Sequence, residues 1–251
     1  MLNTQGSTPI ENESLFSKNN YVLWQIMSST IIAIDGPAAS GKSTIALRLA
    51  KKLNGFYVNT GNMYRSFTFA ALRKGTSFTI HNPETVETFI RNLNLIFDID
   101  HNKEMLIYLD SQPLGEEIRS PEISHNVSSI AKISAVRQWL VDKQRQFANN
   151  YDGYLVMEGR DIGTIVFPRA KFKFFLTASP EVRASRRLAQ DGEVPSGATI
   201  AMVAEEIARR DKIDSSRNVS PLRMAEDAVR IDSSTMTIDQ VVDQLYDIIN
   251  H

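Results

Sequence analysis

The most constraining feature of this chain is a glycine-bounded loop that separates an apolar run from an amphipathic segment. The loop, Gly36–Ser43, reads Gly-Pro-Ala-Ala-Ser-Gly-Lys-Ser and matches the pattern G-x-x-x-x-G-K-[ST]. The apolar run before it, Thr30–Asp35, is typical of a central parallel strand that is buried on both faces. After the loop, Ile45, Leu49 and Leu53 recur at helical spacing. The sequence therefore predicts a strand–loop–helix unit.

The chemistry of this loop suits a nucleoside triphosphate. Its glycines let successive backbone N–H groups turn toward an anion, and the following helix adds its positive N-terminal dipole. We expect Lys42 to reach the β- and γ-phosphates, and either Ser43 or Thr44 to supply a hydroxyl ligand for Mg²⁺. The predicted ATP-binding residues are Gly36, Pro37, Ala38, Ala39, Ser40, Gly41, Lys42, Ser43 and Thr44.

The rest of the chain alternates strand-like and helical segments. A second strand is predicted at Phe56–Val58, and a helix at Met63–Lys74. Near the end of the chain, Thr237 and Gln240 form a capping-box pattern before an apolar-periodic helix. Further strands are predicted at Tyr154–Met157, Phe172–Leu176 and Val229–Ile231. This alternation predicts an α/β fold with a doubly wound, mainly parallel sheet.

One region departs from this alternation. Leu95–Asp100 and Met105–Asp110 are β-rich runs separated by His101–Glu104, a pattern that predicts an antiparallel hairpin. We therefore expect residues 77–134 to form an insert within a domain that spans residues 30–251. For residues 1–29 two interpretations stand: a flexible extension, or a segment that docks on the domain through Tyr21, Leu23 and Trp24.

Composition narrows the possible partners. The formal net charge is −1, so no overall positive field favours nucleic acid, and no apolar run reaches the length of about 18 residues that a membrane span needs. The chain contains no cysteine, which excludes disulfides and zinc–thiolate sites and is compatible with a cytoplasmic protein. The signature motifs of GTPases and of ABC-type ATPases are missing from the sequence. We expect small phosphorylated ligands that are held by local basic residues.

Arginine is the residue type best suited to that task, because its planar guanidinium binds phosphate oxygens in bidentate fashion. Arg160 and Asp161 directly follow one predicted strand, and Arg65 lies just beyond another, where ligands of open α/β sheets bind. An exposed ion pair is the alternative interpretation for any single arginine. The candidates are Arg65, Arg160, Arg183, Arg186, Arg187, Arg209, Arg210 and Arg217.

Together these motifs resemble the bacterial cytidylate kinase family, from about Ile31 to the C-terminus. The residues that carry the resemblance are Ile34–Pro37, Thr60–Arg65, Gly159–Thr164, Val166–Pro168, Arg210–Asp211, Asp214, Arg217 and Ser220–Leu222. The resemblance implies a P-loop kinase whose insert is an enlarged monophosphate-binding subdomain, with a short lid at residues 187–200. It implies phosphoryl transfer from Mg²⁺-bound ATP to CMP or dCMP by a monomer.

The resemblance also implies roles for individual residues. Cytosine would be read by Ser128, Arg137 and Asp161. The sugar would be held by Tyr64 and Asp214, and Thr60 would also belong to the substrate site. Phosphates would be bound by Arg65, Arg160, Arg210 and Arg217. The catalytic residues would be Lys42, Arg160, Arg183 and Arg187, and Arg183, Arg186 and Arg187 would close over ATP as lid arginines.

Several alternatives stay open at this stage. A carboxylate at Asp161 could accept from the N4 amino group of cytosine, or it could merely orient Arg160. Asp35 could position a metal-bound water or fix the phosphate loop that it directly precedes, and Glu158 stands where the family also has aspartate. A kinase of another acceptor such as UMP, and a non-catalytic ATP-binding regulator, are the alternative functions.

Overall fold

The computed structural model describes residues 29–76, 83–190, 194–195, 197–217 and 219–251. The docking segment proposed around Tyr21–Trp24 lies outside these ranges, as do parts of the predicted insert and lid. Across the described ranges, no helix has both the length and the apolar character that crossing a membrane requires.

The strands of the central sheet run parallel, as the alternating pattern predicts. Its strands are β1 Ser29–Asp35, β2 Phe56–Asn59, β6 Gly153–Gly159, β7 Phe172–Thr177 and β8 Val229–Asp232. Within the described residues these five strands lie in the order β2-β6-β1-β7-β8. Because β1 lies in the middle, the phosphate loop that follows it emerges at the centre of the carboxyl edge of the sheet.

Helices cover both faces of this sheet, which confirms the doubly wound α/β fold. In β1, Ile31 and Ala33 pack into one hydrophobic cluster, whereas Ile32 and Ile34 pack into another on the opposite face. Burial on both faces explains why the strand is a continuous apolar run. The helices are α1 Lys42–Lys52, α2 Thr60–Arg73, α3 Pro83–Arg91, α4 Pro121–Ile130, α5 Ser134–Asn150, α6 Pro180–Leu188, α7 Ile200–Ser216 and α8 Ile238–Asn250.

The predicted hairpin is present in a second, antiparallel sheet. Strands β3 (Leu95–Ile99) and β4 (Met105–Leu109) pair as predicted, and a short third strand, β5 (Gln112–Pro113), completes the sheet within the described residues. The turn of the hairpin is fixed to the edge of the central sheet, because the N–H of Tyr57 donates to the carbonyl of Lys103 at 2.8 Å. The limits of residues 77–134 for the insert stay a prediction.

Helix starts follow local rules. Ser179 accepts from the N–H of Val182 at the start of α6, and Pro180 occupies the first turn. The capping box of α8 is confirmed: the Thr237 N–H donates to the Gln240 side chain at 2.8 Å, and the Gln240 N–H donates to the Thr237 hydroxyl at 3.2 Å.

Candidate active site

A cavity of about 550 Å³ opens at the carboxyl edge of the central sheet. It lies between the phosphate loop, the ends of β2 and β6, and the insert. The predicted residues that line it are Ala39, Ser40, Gly41, Lys42, Ser43, Thr44, Thr60, Tyr64, Arg65, Ser128, Arg137, Arg160, Asp161, Arg187, Arg210, Asp214 and Arg217. Gly36, Pro37, Ala38 and Arg183 were also predicted, but they are not among the lining residues. Both the donor half and the acceptor half of the predicted site therefore face one cavity.

The first glycine of the phosphate loop is required by a close approach of two backbones. A Cβ atom at Gly36 would lie 2.0 Å from the carbonyl oxygen of Leu176 in β7, and the φ angle of Gly36 is 152°. No larger residue fits there without moving the strand. The glycine thus fixes the loop where β1 and β7 lie side by side.

Lys42 is folded back onto the phosphate loop. Its Nζ donates to the carbonyl of Pro37 at 2.7 Å and to the Ser40 hydroxyl at 3.3 Å. The side chain is buried, and this burial, followed by the positive charge of Arg160, lowers the pKa of Lys42 to about 7. A phosphate in the loop would restore the favourable environment that the buried ammonium lacks.

The three arginines of α6 have different surroundings. Arg183 donates to the carbonyl of Ala38 at 3.1 Å and forms an ion pair with Asp211, which also accepts from the N–H of Ala38 at 3.0 Å. Arg186 approaches the carbonyl of Ser40 at 3.4 Å. Both side chains therefore hold the phosphate loop from outside, and only Arg187 lines the cavity. The prediction that Arg183 is catalytic stays a prediction.

Positive charge is concentrated around the cavity. Burial, and then the charges of neighbouring arginines, lowers the pKa of Arg65 and of Arg187 to about 9. Arg119, Arg160 and Arg210 contribute to this repulsion at both positions. Arginines arranged in this way around a cavity favour a polyanion, because its charge offsets the repulsion. Sequence reasoning missed Arg119, which lies in the 3₁₀ turn Glu116–Arg119 of the insert and matches none of the quoted motifs.

Three buried polar atoms of lining residues have no hydrogen-bond partner among the described residues. They are the Tyr64 hydroxyl, Nε of Arg210 and Nη2 of Arg217. Leaving a buried polar group unsatisfied costs about 1–3 kcal/mol. Their shared position in the cavity wall indicates a polar ligand that completes these contacts.

The predicted base-reading residues form one buried group. Arg137 donates to the Asp161 carboxylate at 2.7 Å and to the carbonyl of Ala131 at 3.0 and 3.2 Å, and its guanidinium lies 5.2 Å from the Tyr64 ring centre. Ser128 lines the same wall. Asp161 does not orient Arg160, whose Nε instead donates to Asp214 at 3.0 Å. Asp214 also lies 3.7 Å from Arg217, so this carboxylate joins two of the predicted phosphate ligands.

The Asp35 carboxylate binds the segment that follows β6, not the phosphate loop that it was expected to fix as one of its two possible roles. It accepts from the N–H of Ile162 at 2.9 Å and from the N–H of Gly163 at 2.8 Å, in the segment that follows β6. Burial raises the pKa of Asp35 to about 6, and the negative charge of Asp161 acts in the same direction.

A second buried network joins the loop to β2 and β6. The Tyr57 hydroxyl donates to Glu158 at 2.9 Å, accepts from Asn59 at 3.2 Å and also contacts the Ser43 side chain. Burial raises the pKa of Tyr57 well above its ordinary value, so its proton stays available to Glu158. Sequence reasoning missed both Tyr57 and Asn59.

These oxygen groups fit a Mg²⁺ ion that arrives with a nucleotide. Mg²⁺ in nucleotide sites keeps several waters and takes one or two protein oxygens besides the phosphates. Ser43 and Glu158 line the cavity beside Lys42 and supply oxygens of the required kind. The described ranges contain no group of three or more His, Cys, Asp or Glu residues that could hold a metal by themselves.

Known proteins resemble this chain over most of its length. A sequence model of the family described as cytidylate kinase matches residues 32–251. The chain is 46% identical to the cytidylate kinase of Clostridium tetani over 215 residues, 86% of this chain and 91% of that protein. It is 43% identical to the cytidylate kinase of Clostridioides difficile over 224 residues, 89% of this chain and 100% of that protein. Among solved structures, a shikimate kinase from Acinetobacter baumannii aligns with a TM-score of 0.46 and 10% identity, over 89% of this chain and 94% of that one.

Proposed function

The chain belongs to the cytidylate kinase family, and we propose that it transfers the γ-phosphoryl group of ATP to CMP or dCMP. The products are ADP and CDP or dCDP. The observation that carries this proposal is that one cavity is lined by the phosphate loop, by the buried Arg137–Asp161 pair and by a set of arginines. Such a cavity is suited to two nucleotides held with their phosphates together.

On the acceptor side, Asp161 accepts a hydrogen bond from the N4 amino group of cytosine, with Arg137 and Ser128 completing the base site. Uracil has a carbonyl oxygen at that position, which a carboxylate repels. Tyr64 and Asp214 hold the sugar, and Thr60 ties the start of α2 to the end of β6 through a 2.7 Å bond to the carbonyl of Glu158. The acceptor phosphate is bound by Arg65, Arg160, Arg210 and Arg217.

On the donor side, the backbone of the phosphate loop and Lys42 bind the triphosphate. An oxygen of the acceptor phosphate attacks the γ-phosphorus, while the bond to the β,γ-bridging oxygen breaks and its electron pair leaves with ADP. No general base is required, because the attacking oxygen is already anionic. Lys42, Arg160 and Arg187 catalyse the transfer by positioning the groups and neutralising charge. We propose that Arg183 acts by holding the loop at Ala38.

Mg²⁺ is the metal that we assign to the donor site. It supplies charge neutralisation and alignment of the β- and γ-phosphates when it is bound with ATP. The Ser43 hydroxyl holds it in our proposal, with Thr44 as the alternative ligand. Tyr57 orients the Glu158 carboxylate next to Ser43 through its 2.9 Å hydrogen bond.

We also propose that the enzyme works as a monomer in the cytoplasm and binds neither nucleic acid nor membranes. The net charge of −1 supports this, because it gives the chain no overall positive field. Light scattering after gel filtration should give the mass of one chain. A dimer mass at micromolar concentration would contradict the monomer.

Asp161→Asn tests the base reader. The amide keeps the shape of the side chain, but its NH₂ group can donate to the carbonyl oxygen of uracil. We expect kcat/KM for CMP to fall about tenfold or more, kcat/KM for UMP to rise relative to it, and the Kd for ATP to stay within about twofold. Steady-state kinetics and calorimetric titration measure these changes.

The exposed Asp142 of α5 offers a matched control. It accepts from Gln138 at 3.0 Å on the surface, away from the cavity. Asp142→Asn should leave both acceptors unaffected. Unchanged CMP kinetics in folded Asp161→Asn would contradict the assignment of Asp161, although not the phosphoryl transfer itself.

A further inference from the structure

Asp35 is the last residue of β1 and directly precedes the phosphate loop. Its carboxylate nevertheless binds the segment that carries Asp161, in the acceptor half of the site. The residue is buried, with 5% of its surface exposed, and it does not line the cavity. One carboxylate oxygen accepts from the N–H of Ile162 and the other from the N–H of Gly163, at 2.9 and 2.8 Å. Both oxygens are therefore committed to the segment that carries Asp161.

That segment is a single π-helical turn, Ile162–Val166, in which Asp161 occupies the N-cap position. An aspartate at an N-cap ordinarily turns its side chain back to accept from the N–H of the second or third helical residue, here Gly163 or Thr164. Asp161 makes no such bond. Its carboxylate accepts from Arg137 at 2.7 Å and lines the cavity instead.

The two observations have one explanation. Asp35 already occupies the N–H groups of Ile162 and Gly163, and the second of these is one that an N-cap side chain at Asp161 would use. The two carboxylates also repel each other, which opposes any rotation of Asp161 toward the turn. Arg137 holds the Asp161 carboxylate in a buried ion pair at 2.7 Å.

We propose that Asp35 is a positioning residue for acceptor selection, which caps the π turn in place of Asp161 and so leaves the Asp161 carboxylate free to face the base. This inference rests on the proposed function, in which Asp161 reads cytosine. It also links the acceptor and donor halves of the site, because Asp35, which positions Asp161, is the residue directly before the phosphate loop.

The π turn is held closely on its other sides. A Cβ atom at Gly163 would lie 3.2 Å from Cδ of Lys173, and Lys173 is itself fixed by Asp227 at 2.6 Å. At the far end of the turn, Arg145 donates to the carbonyl of Ile165 at 3.0 Å. With these contacts in place, the Asp35 carboxylate sets the orientation of the N-terminal end of the turn, where Asp161 lies.

Asp35→Asn tests the inference. The amide has the same shape, but only one of its two ends can accept an N–H, so Asp161 gains a vacant N–H to cap. We expect the preference for CMP over UMP, as a ratio of kcat/KM values, to fall about tenfold. We expect the KM for ATP to stay within about twofold, because the phosphate loop itself is unchanged.

Two further variants make the result decisive. Asp100→Asn is the matched control. The Asp100 carboxylate also accepts from two backbone N–H groups, those of Asn102 and Glu104, but it lies in the hairpin turn. This substitution should leave the preference for CMP over UMP unchanged. Gly163→Ala keeps the Asp35 charge, and we expect its Cβ to press the turn against Lys173 and so to lower the preference in the same direction.

The outcomes separate the inference from the proposed function. A folded Asp35→Asn protein that keeps the wild-type preference for CMP over UMP overturns the inference. An equal loss of CMP and ATP affinity also overturns it, because the effect would then lie in the phosphate loop. If Asp35→Asn fails to fold, a wild-type preference in Gly163→Ala overturns it. A wild-type enzyme that does not distinguish CMP from UMP contradicts the base reader of the proposed function instead.

Discussion

At the level of single residues, the buried ammonium group of Lys42 favours phosphate binding but lowers the stability of the ligand-free protein. The ammonium group is buried in the phosphate loop and donates to the carbonyl of Pro37 and to the Ser40 hydroxyl. Burial is the main reason why its pKa falls to about 7. The group is therefore costly in the ligand-free chain and favourable once phosphates surround it.

The stability of the ligand-free protein should reveal this cost. The pKa of Lys42 is about 7 in the folded chain and 10.5 ordinarily, so between these pH values the unfolded chain binds more protons and stability rises with pH. Below pH 7 the cost is complete. We expect Lys42→Met to exceed the wild type in unfolding free energy by on the order of 3 kcal/mol near pH 6, and by much less near pH 10.

Urea denaturation without nucleotide measures this difference. The same substitution at Lys132, an exposed residue, controls for the removal of a lysine. A difference between Lys42→Met and the wild type that stays constant across this pH range would contradict the assignment. Activity should be lost in Lys42→Met at every pH, by about a hundredfold or more.

Site residues that lie within contiguous sequence motifs could be predicted from the sequence. Those that reach the site only because distant segments fold together could not. Lys42, Arg160 and Asp161 stand in motifs whose spacing carries their position. Tyr57 instead reaches Glu158 because β2 pairs with β6, 101 positions along the chain. Arg119 reaches the cavity only because the insert folds over it.

At the level of secondary-structure elements, α6 contains two arginines that have different contacts, although the sequence predicts the same role for both. Arg183 and Arg187 are one turn apart and were both predicted to be catalytic. In the structure Arg183 joins Ala38 to Asp211, and Arg187 lines the cavity. The helix α6 thus supports the phosphate loop through Arg183 and places the guanidinium of Arg187 at the cavity.

The two arginines should therefore respond differently to truncation. Arg183→Ala leaves the partly buried Asp211 without its cation, so we expect a loss of about 2 kcal/mol in unfolding free energy. Arg187→Ala should keep stability within about 1 kcal/mol and lower kcat at least tenfold. Thermal denaturation and steady-state rates on both variants measure this. Wild-type stability with a lowered kcat in Arg183→Ala would show instead that Arg183 acts directly on the reaction.

Element types were predicted better than element ends. The helix predicted at Met63 begins at Thr60, because Asn59 ends β2 and caps α2 at once, accepting from the N–H of Asn62 at 3.0 Å. The π turn that follows Asp161 was not foreseen, since the Asp35 bonds that hold it come from a distant strand. Long-range hydrogen bonds of this kind leave no periodic signal.

At the scale of the whole molecule, the insert and the central sheet share one core. Val86, Ile107 and Val127 from the insert belong to the same hydrophobic cluster as Ile31 and Leu155 of the central sheet. Trp139 of α5 lies between Phe67 of α2 and Phe97 of β3, at ring-centre distances of 5.9 and 6.3 Å. Among the described residues, the apolar side chains of the insert thus pack into the core of the central sheet.

Truncation inside the insert should consequently destabilise the whole domain. Ile107 is 5% exposed, and we expect Ile107→Ala to lower the unfolding free energy by about 2–5 kcal/mol. With Trp24 replaced by Phe, fluorescence reports Trp139 alone, and its urea transition should coincide with that of far-UV circular dichroism. Two separated transitions would indicate an insert that unfolds independently.

The proposed activity is tested by ADP formation from Mg²⁺-bound ATP in the presence of CMP, dCMP, UMP, AMP, GMP or no acceptor, with Lys42→Ala as the control. We predict turnover mainly with CMP and dCMP, and its loss in the control. Equal turnover with every acceptor, or ADP formation that does not depend on an acceptor, would contradict the assignment of a pyrimidine monophosphate kinase and favour an ATP-binding protein of another function.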